Sequence, residues 1–151
     1  MAAYVIDSEL FRDQFSTSEM REIFSDIRTV QAWLDVEVAL AEAEAELGII
    51  PDEAADAIRD AGDAADYDLS EMKREMDRTA HPIVPLVRMI AAKCPDGLGE
   101  YVHWGATTQD ITDTGMILQI RDAIDVITGR LDSLADSLAD HAVTHAATAM
   151  P

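Results

Sequence analysis

What this chain lacks narrows what it can be. It has one cysteine, Cys94, so no internal disulfide can form, and a reducing, cytoplasmic setting is expected. Aromatic residues make up 5% of its 151 positions while alanine is plentiful, which points to an all-α core of packed helices and away from a sheet. Lysine occurs only as Lys73 and Lys93, and Lys+Arg 11 against Asp+Glu 30 leaves a net charge of -19. Such a surface repels nucleic acid and anionic membranes, so neither is an expected partner. No apolar run is long enough to cross a bilayer. The start, Met1-Ala2-Ala3-Tyr4-Val5-Ile6-Asp7, also lacks the basic-then-apolar layout of a signal peptide.

What is present is a 48% hydrophobic composition, enough for one domain with a real core. Aspartate outnumbers glutamate, a bias that suggests a salt-rich cytoplasm in which screening relieves self-repulsion. Melting in low and in molar KCl tests that expectation, and equal stability in both would count against it.

Helical punctuation runs through the chain. Residues 1–15 carry little periodicity and read as an irregular arm. Ser16-Thr17-Ser18-Glu19 is a capping-box pattern, predicting one long helix to about Gly48 with the stripe Met20, Ile23, Ile27, Val30, Leu34, Ala41 and Ala45. Glu37 falls on this stripe. It is expected to reach solvent from the helix edge, the alternative being a half-buried carboxylate paired with an arginine. Gly48-Ile49-Ile50-Pro51 ends the helix, and short helices are predicted from Asp52 to about Ala61 and from Asp68 to about Arg78. Pro82 opens a core helix lasting to about Lys93, and a loop then leads to His103.

The most informative stretch is His103-Trp104-Gly105-Ala106-Thr107-Thr108-Gln109-Asp110. Thr107 and Asp110 make a Thr-x-x-Asp capping box, which puts free backbone N–H groups, the Thr108 hydroxyl and the Gln109 amide at a positive helix end. Helix ends of this kind attract carboxylates and other anions. Gly105 allows the backbone to turn or approach a ligand closely. Beyond it Ile117, Ile120, Ile124, Ile127, Leu131, Leu134 and Leu138 form a heptad seam on a helix expected to reach about Thr148, on the order of 60 Å. A domain of this size cannot cover such a helix alone, so it is expected to join a long bundle with other chain or other subunits.

Five sets of residues invite chemistry. His81, before a proline at a helix start, can titrate near neutral pH in a site or serve as a local cap or core histidine. His103 can bond a substrate or orient its loop. His141 and His145 have a chelating spacing but no third ligand or intervening glutamate, which favours a structural pair over zinc. Asp110 and Asp113 lack the alternating oxygens of a calcium loop, and Cys94 lacks a basic activator beyond Lys93.

Met20 to Asp26, Gln31 to Glu37, Glu46 to Pro51 and Tyr101 to Asp110 together resemble the fumarase/aspartase superfamily, in particular its branch of adenylosuccinate lyase and 3-carboxy-cis,cis-muconate cycloisomerase. The last segment is similar to the first of three signature regions. The resemblance implies metal-free anti-elimination, or its reverse, on a dicarboxylate, with no cofactor and with active sites shared in a homotetramer. It implies that Thr107, Thr108, Gln109 and Asp110 bind substrate and that His81 and His103 contact it or assist proton transfer. Gln14-Phe15 stand where adenylosuccinate lyases carry an Arg-Tyr pair and look more like the cycloisomerase, whereas His81 looks like the lyase. The substrate therefore stays open within the branch.

The resemblance further implies a helical N-terminal domain over residues 1–106 and the first long helix of a central bundle over residues 107–151. The other two signature regions, with the acid-side histidine and the base serine, are absent from the 151 residues, so this stretch alone is expected to be inactive. The competing expectation, from the seam alone, is a free-standing helical assembly module.

Overall fold

A computed structural model describes residues 4–149. Among these residues the architecture is all-α, without strands. The helices are α1 (Arg12–Phe15), α2 (Ser18–Ile23), α3 (Asp26–Glu46), α4 (Asp52–Asp60), α5 (Leu69–Thr79), α6 (Ile83–Lys93) and α7 (Thr108–Thr144), with short 3₁₀ turns at Val5–Asp7, Ala64–Asp66 and Leu98–Tyr101.

The N-terminal arm is thus partly ordered as a 3₁₀ turn and one helical turn, where irregular chain was expected. The long first helix is also two helices. Thr17 caps α2 by accepting from the Met20 N–H, and Ser25 then caps α3 by accepting from the Arg28 N–H. Ser25 competes with the backbone from both sides, because its hydroxyl also donates to the Glu22 carbonyl at 2.8 Å. The apolar stripe passes through this break without marking it. Of its members Val30, Leu34 and Ala41 are buried, while Ile27 is exposed.

α3 is the organising element, lying against α7 on one side and α4 on the other. The core gathers Val30, Leu34 and Ala41 of α3 with Ala54 and Ile58 of α4, Met72 of α5, Ile83, Leu86 and Ile90 of α6, and Ile111 of α7. Gln31 joins α3 to the turn after α4, donating to the Gly62 carbonyl and accepting from the Ala64 N–H, both at 2.8 Å. α3 and α7 approach closely at Gly115, where an added Cβ would lie 2.7 Å from Cδ1 of Trp33.

α7 has 37 residues and so runs about 55 Å, ending at Thr144 and not near Thr148. Its first turns are packed on α3 and α6. Farther along, Ile117, Ile120, Ile124, Ile127, Leu131, Leu134 and Leu138 are between 37% and 61% exposed, so the seam faces outward. No helix among the described residues is long and apolar enough to cross a membrane.

Candidate active site

The start of α7 is built as a local consequence of its sequence. Gly105 takes φ +70°, the left-handed turn that glycine adopts at no steric cost, and Thr107 is extended ahead of the helix. Asp110 Oδ2 accepts from the Thr107 N–H at 2.9 Å, completing the return half of the capping box. The Asp110 N–H bonds the Thr107 carbonyl. Helix geometry gives the Thr108 and Gln109 N–H groups no intrahelical acceptor, so they remain as donors at the positive end. Thr107, Gln109 and Asp110 are exposed there and Thr108 is half-buried. One oxygen of Asp110 is thereby committed to the cap.

His81 is brought to this helix end from the break between α5 and α6. Ala80 caps α5 in the left-handed region, φ +52°, and turns the chain so that His81 Nε2 lies 3.1 Å from Thr108 Oγ1. His81 Nδ1 is buried with no partner. A buried N–H left unpaired is rarer and costlier than an under-used acceptor. The geometry therefore favours Nδ1 as a bare lone pair and Nε2–H as donor to Thr108. That arrangement frees the Thr108 hydroxyl hydrogen to point at another acceptor, such as a carboxylate.

The second histidine makes a different pair. His103 Nδ1 lies 2.7 Å from Oε1 of Glu37, whose side chain is 1% exposed. Glu37 is thus neither at a solvent edge nor paired with an arginine, correcting the sequence expectation. The α3 stripe that carries it faces the loop before α7, and the partner is imidazole. Burial pushes the Glu37 carboxyl above its ordinary range, the bond to His103 pulls it back, and the charge of Glu44 adds to the rise. Oε2 of Glu37 is buried without a partner. His103 itself has φ +62°, a conformation that costs a non-glycine residue roughly 1–3 kcal/mol and persists only where surrounding structure holds it.

Glu44, two turns farther along α3, was not singled out from sequence. It is 9% exposed, Oε2 has no partner, and burial pushes its carboxyl up. It lines a cleft of about 280 Å³ together with Trp104, Gly105, Ala106, Asp110 and Thr114. Gln119 was also missed: buried on α7, it donates to the Ile23 carbonyl at 2.7 Å and to Thr29 Oγ1 at 3.1 Å. The heptad pattern gives it no signal, because it lies off the apolar seam.

The remaining candidates stay apart from these pairs. His141 and His145 stack with ring centroids 5.8 Å apart, and His145 Nδ1 lies 3.2 Å from Thr148 Oγ1. Among the described residues no group of three His, Cys, Asp or Glu side chains is placed to hold a metal ion. Cys94 is half-buried, and burial pushes its thiol up, away from the reactive thiolate.

The fold is all-helical among the described residues, with hydroxyl and amide donors at the head of its longest helix. The sequence matches the family described as Lyase over residues 12–151. The chain belongs to that family, within the fumarase/aspartase superfamily. It is 45% identical to trans-aconitate decarboxylase 1 of Mycosarcoma maydis over 122 residues, 81% of this chain and 25% of that one. It is 42% identical to N-acetyl-S-(2-succino)cysteine lyase of Enterococcus italicus over 127 residues, 84% and 28% of the two chains. The crystal structure of 3-carboxy-cis,cis-muconate lactonizing enzyme from Pseudomonas putida superposes with a TM-score of 0.85 at 42% identity, covering 92% of this chain and 32% of that one. The chain therefore spans a quarter to a third of the length of these relatives, whose names differ in the bond they break or make.

Proposed function

We propose that these residues form one wall of the active site of a lyase performing anti-elimination, or its reverse, on a dicarboxylate, in the manner of adenylosuccinate lyase releasing fumarate. The observation that carries the reading is the half-buried Thr108 hydroxyl at the first turn of α7, 3.1 Å from His81 Nε2; with Nε2–H as the donor, the hydroxyl hydrogen is free for a substrate carboxylate. In such a reaction a base removes the proton beside a carboxylate, the electron pair forms the C=C bond, and an acid protonates the departing nitrogen, oxygen or sulfur. Charge builds on the carboxylate that activates the proton. Fixed donors aimed at that charge are worth far more in a dry site than in water.

Thr107, Thr108 and Gln109 fit that task, with Asp110 holding the helix start and offering its second oxygen to a polar substrate group. His81 and His103 contact the substrate or pass protons. The roles require no metal or cofactor, and the acid and base that finish the reaction come from chain outside these 151 residues. Residues 1–106 act as the helical N-terminal domain and residues 107–151 as the first helix of a central bundle. The exposed α7 seam is then buried in a homotetramer. A free-standing assembly module would account for the seam but gives no reason for a hydroxyl poised on a histidine.

A second reading, a cycloisomerase-like enzyme closing a lactone, is favoured by the close superposition on the lactonizing enzyme and by Gln14-Phe15. The complete enzyme, supplied with adenylosuccinate, N-acetyl-S-(2-succino)cysteine and 3-carboxy-cis,cis-muconate, separates the two. Fumarate appearing by ultraviolet absorbance from either succinyl compound supports elimination. Lactone formed from the muconate supports the second reading, and no turnover of any of the three contradicts both.

A further inference from the structure

We propose that Glu37 is a positioning residue for His103: it holds the imidazole as the Nδ1–H tautomer, so that Nε2 is presented as a free lone pair at the loop before α7. The catalytic use of that lone pair rests on the elimination reading above; the tautomer does not.

Three observations converge on this assignment. First, the contact is short and one-sided, 2.7 Å from Nδ1 to Oε1, and it joins α3 to a loop 66 residues later in the chain. Glu37 keeps 1% of its side-chain exposure and His103 keeps 18%, so the open side of the pair belongs to the histidine. Second, His103 is held in the left-handed region by its neighbourhood and not by glycine. The 3₁₀ turn Leu98–Tyr101 and the buried Val102 fix the chain on its N-terminal side, and Gly105 turns it on the other. Structure maintained against backbone preference is expected where a side chain must be aimed.

Third, burial raises the Glu37 carboxyl, but the short bond to His103 works in the opposite direction and favours the ionised carboxylate beside Nδ1. An ionised Glu37 can only accept, so Nδ1 must carry hydrogen. This is the logic by which a buried carboxylate sets the tautomer of a catalytic imidazole in a nucleophile–histidine–carboxylate triad. The contrast with His81 is informative. There the unpartnered buried nitrogen is Nδ1 and the bonded one Nε2, so the two histidines at the head of α7 offer opposite edges.

The test is histidine-selective ¹⁵N NMR on the complete protein, with His103→Gln used to assign the resonance. The wild type is expected to show His103 protonated at Nδ1 with Nε2 bare. In Glu37→Gln the amide can turn either its oxygen or its NH₂ to the ring, so both tautomers should coexist. Glu37→Asp, which keeps a carboxylate, should return the wild-type pattern. Modification of His103 by diethyl pyrocarbonate, which needs the bare nitrogen, should slow in Glu37→Gln. A wild-type His103 protonated at Nε2 overturns the proposal, as does a Glu37→Gln spectrum unchanged from wild type. Should Glu37→Gln fail to fold, the wild-type spectrum decides alone. None of these readouts involves turnover, so loss of the elimination reading and loss of the tautomer are separately visible.

Discussion

At the residue scale, two buried glutamates and two loop histidines lie around the head of α7. Glu44 is the simpler carboxylate, because burial alone shifts it and its Oε2 has no partner. Its folded form holds a proton more tightly than its unfolded form. The folded state therefore binds more protons than the unfolded state just above the ordinary carboxylate range, and stability contributed there is lost as pH rises. A neutral replacement removes that loss. Glu44→Gln should become more stable relative to wild type as pH rises from the ordinary carboxylate range through the raised range of buried Glu44, read as a widening gap in melting temperature. A constant gap across that range would show that Glu44 ionises without penalty.

The capping box and the turn at Gly105 were legible in the sequence because both depend on neighbours three or four residues away. Glu37 was not. Its position on an apolar stripe shows which face it occupies, but whether that face meets water or imidazole is decided by His103, far along the chain. The same distance hides the contact between His81 and Thr108.

At the scale of elements, the outline of five helices and their order followed from periodicity and caps, and the errors lay where two signals overlapped. Thr17 and Ser25 are both good caps within one continuous apolar stripe, and only the packed structure shows that the second interrupts the helix. α7 then depends on that interruption. The Ile23 carbonyl at the end of α2 accepts from Gln119, which also reaches Thr29 near the start of α3. Gln119→Ala should leave that carbonyl short of a donor and cost about 1–3 kcal/mol in denaturant unfolding. Loss of less than the uncertainty of such a measurement would mean that water replaces the amide. Gly115 has the complementary role of allowing approach: a methyl there meets the Trp33 ring, so the gain in helix propensity from alanine is offset by overpacking.

At the scale of the whole molecule, one long helix carries two assignments. Its first turn offers donors beside a cleft, and the remainder displays seven apolar side chains to the outside. Periodicity revealed the seam without revealing its partner, since a heptad pattern is the same whichever copy or segment covers it. Placing charge at its middle, with Ile124→Glu and Leu131→Glu together, should lower the assembled mass of the complete enzyme by light scattering; an unchanged mass would assign assembly to another surface.

In the proposed reaction, the head of α7 stabilises charge developing on a substrate carboxylate. The direct test is the kinetics of Thr108→Ala in the complete enzyme, acting on whichever substrate the wild type turns over. The loss of one such donor predicts a fall in kcat of more than about tenfold, with the fold confirmed intact by circular dichroism. Wild-type kcat in that variant would contradict the claim.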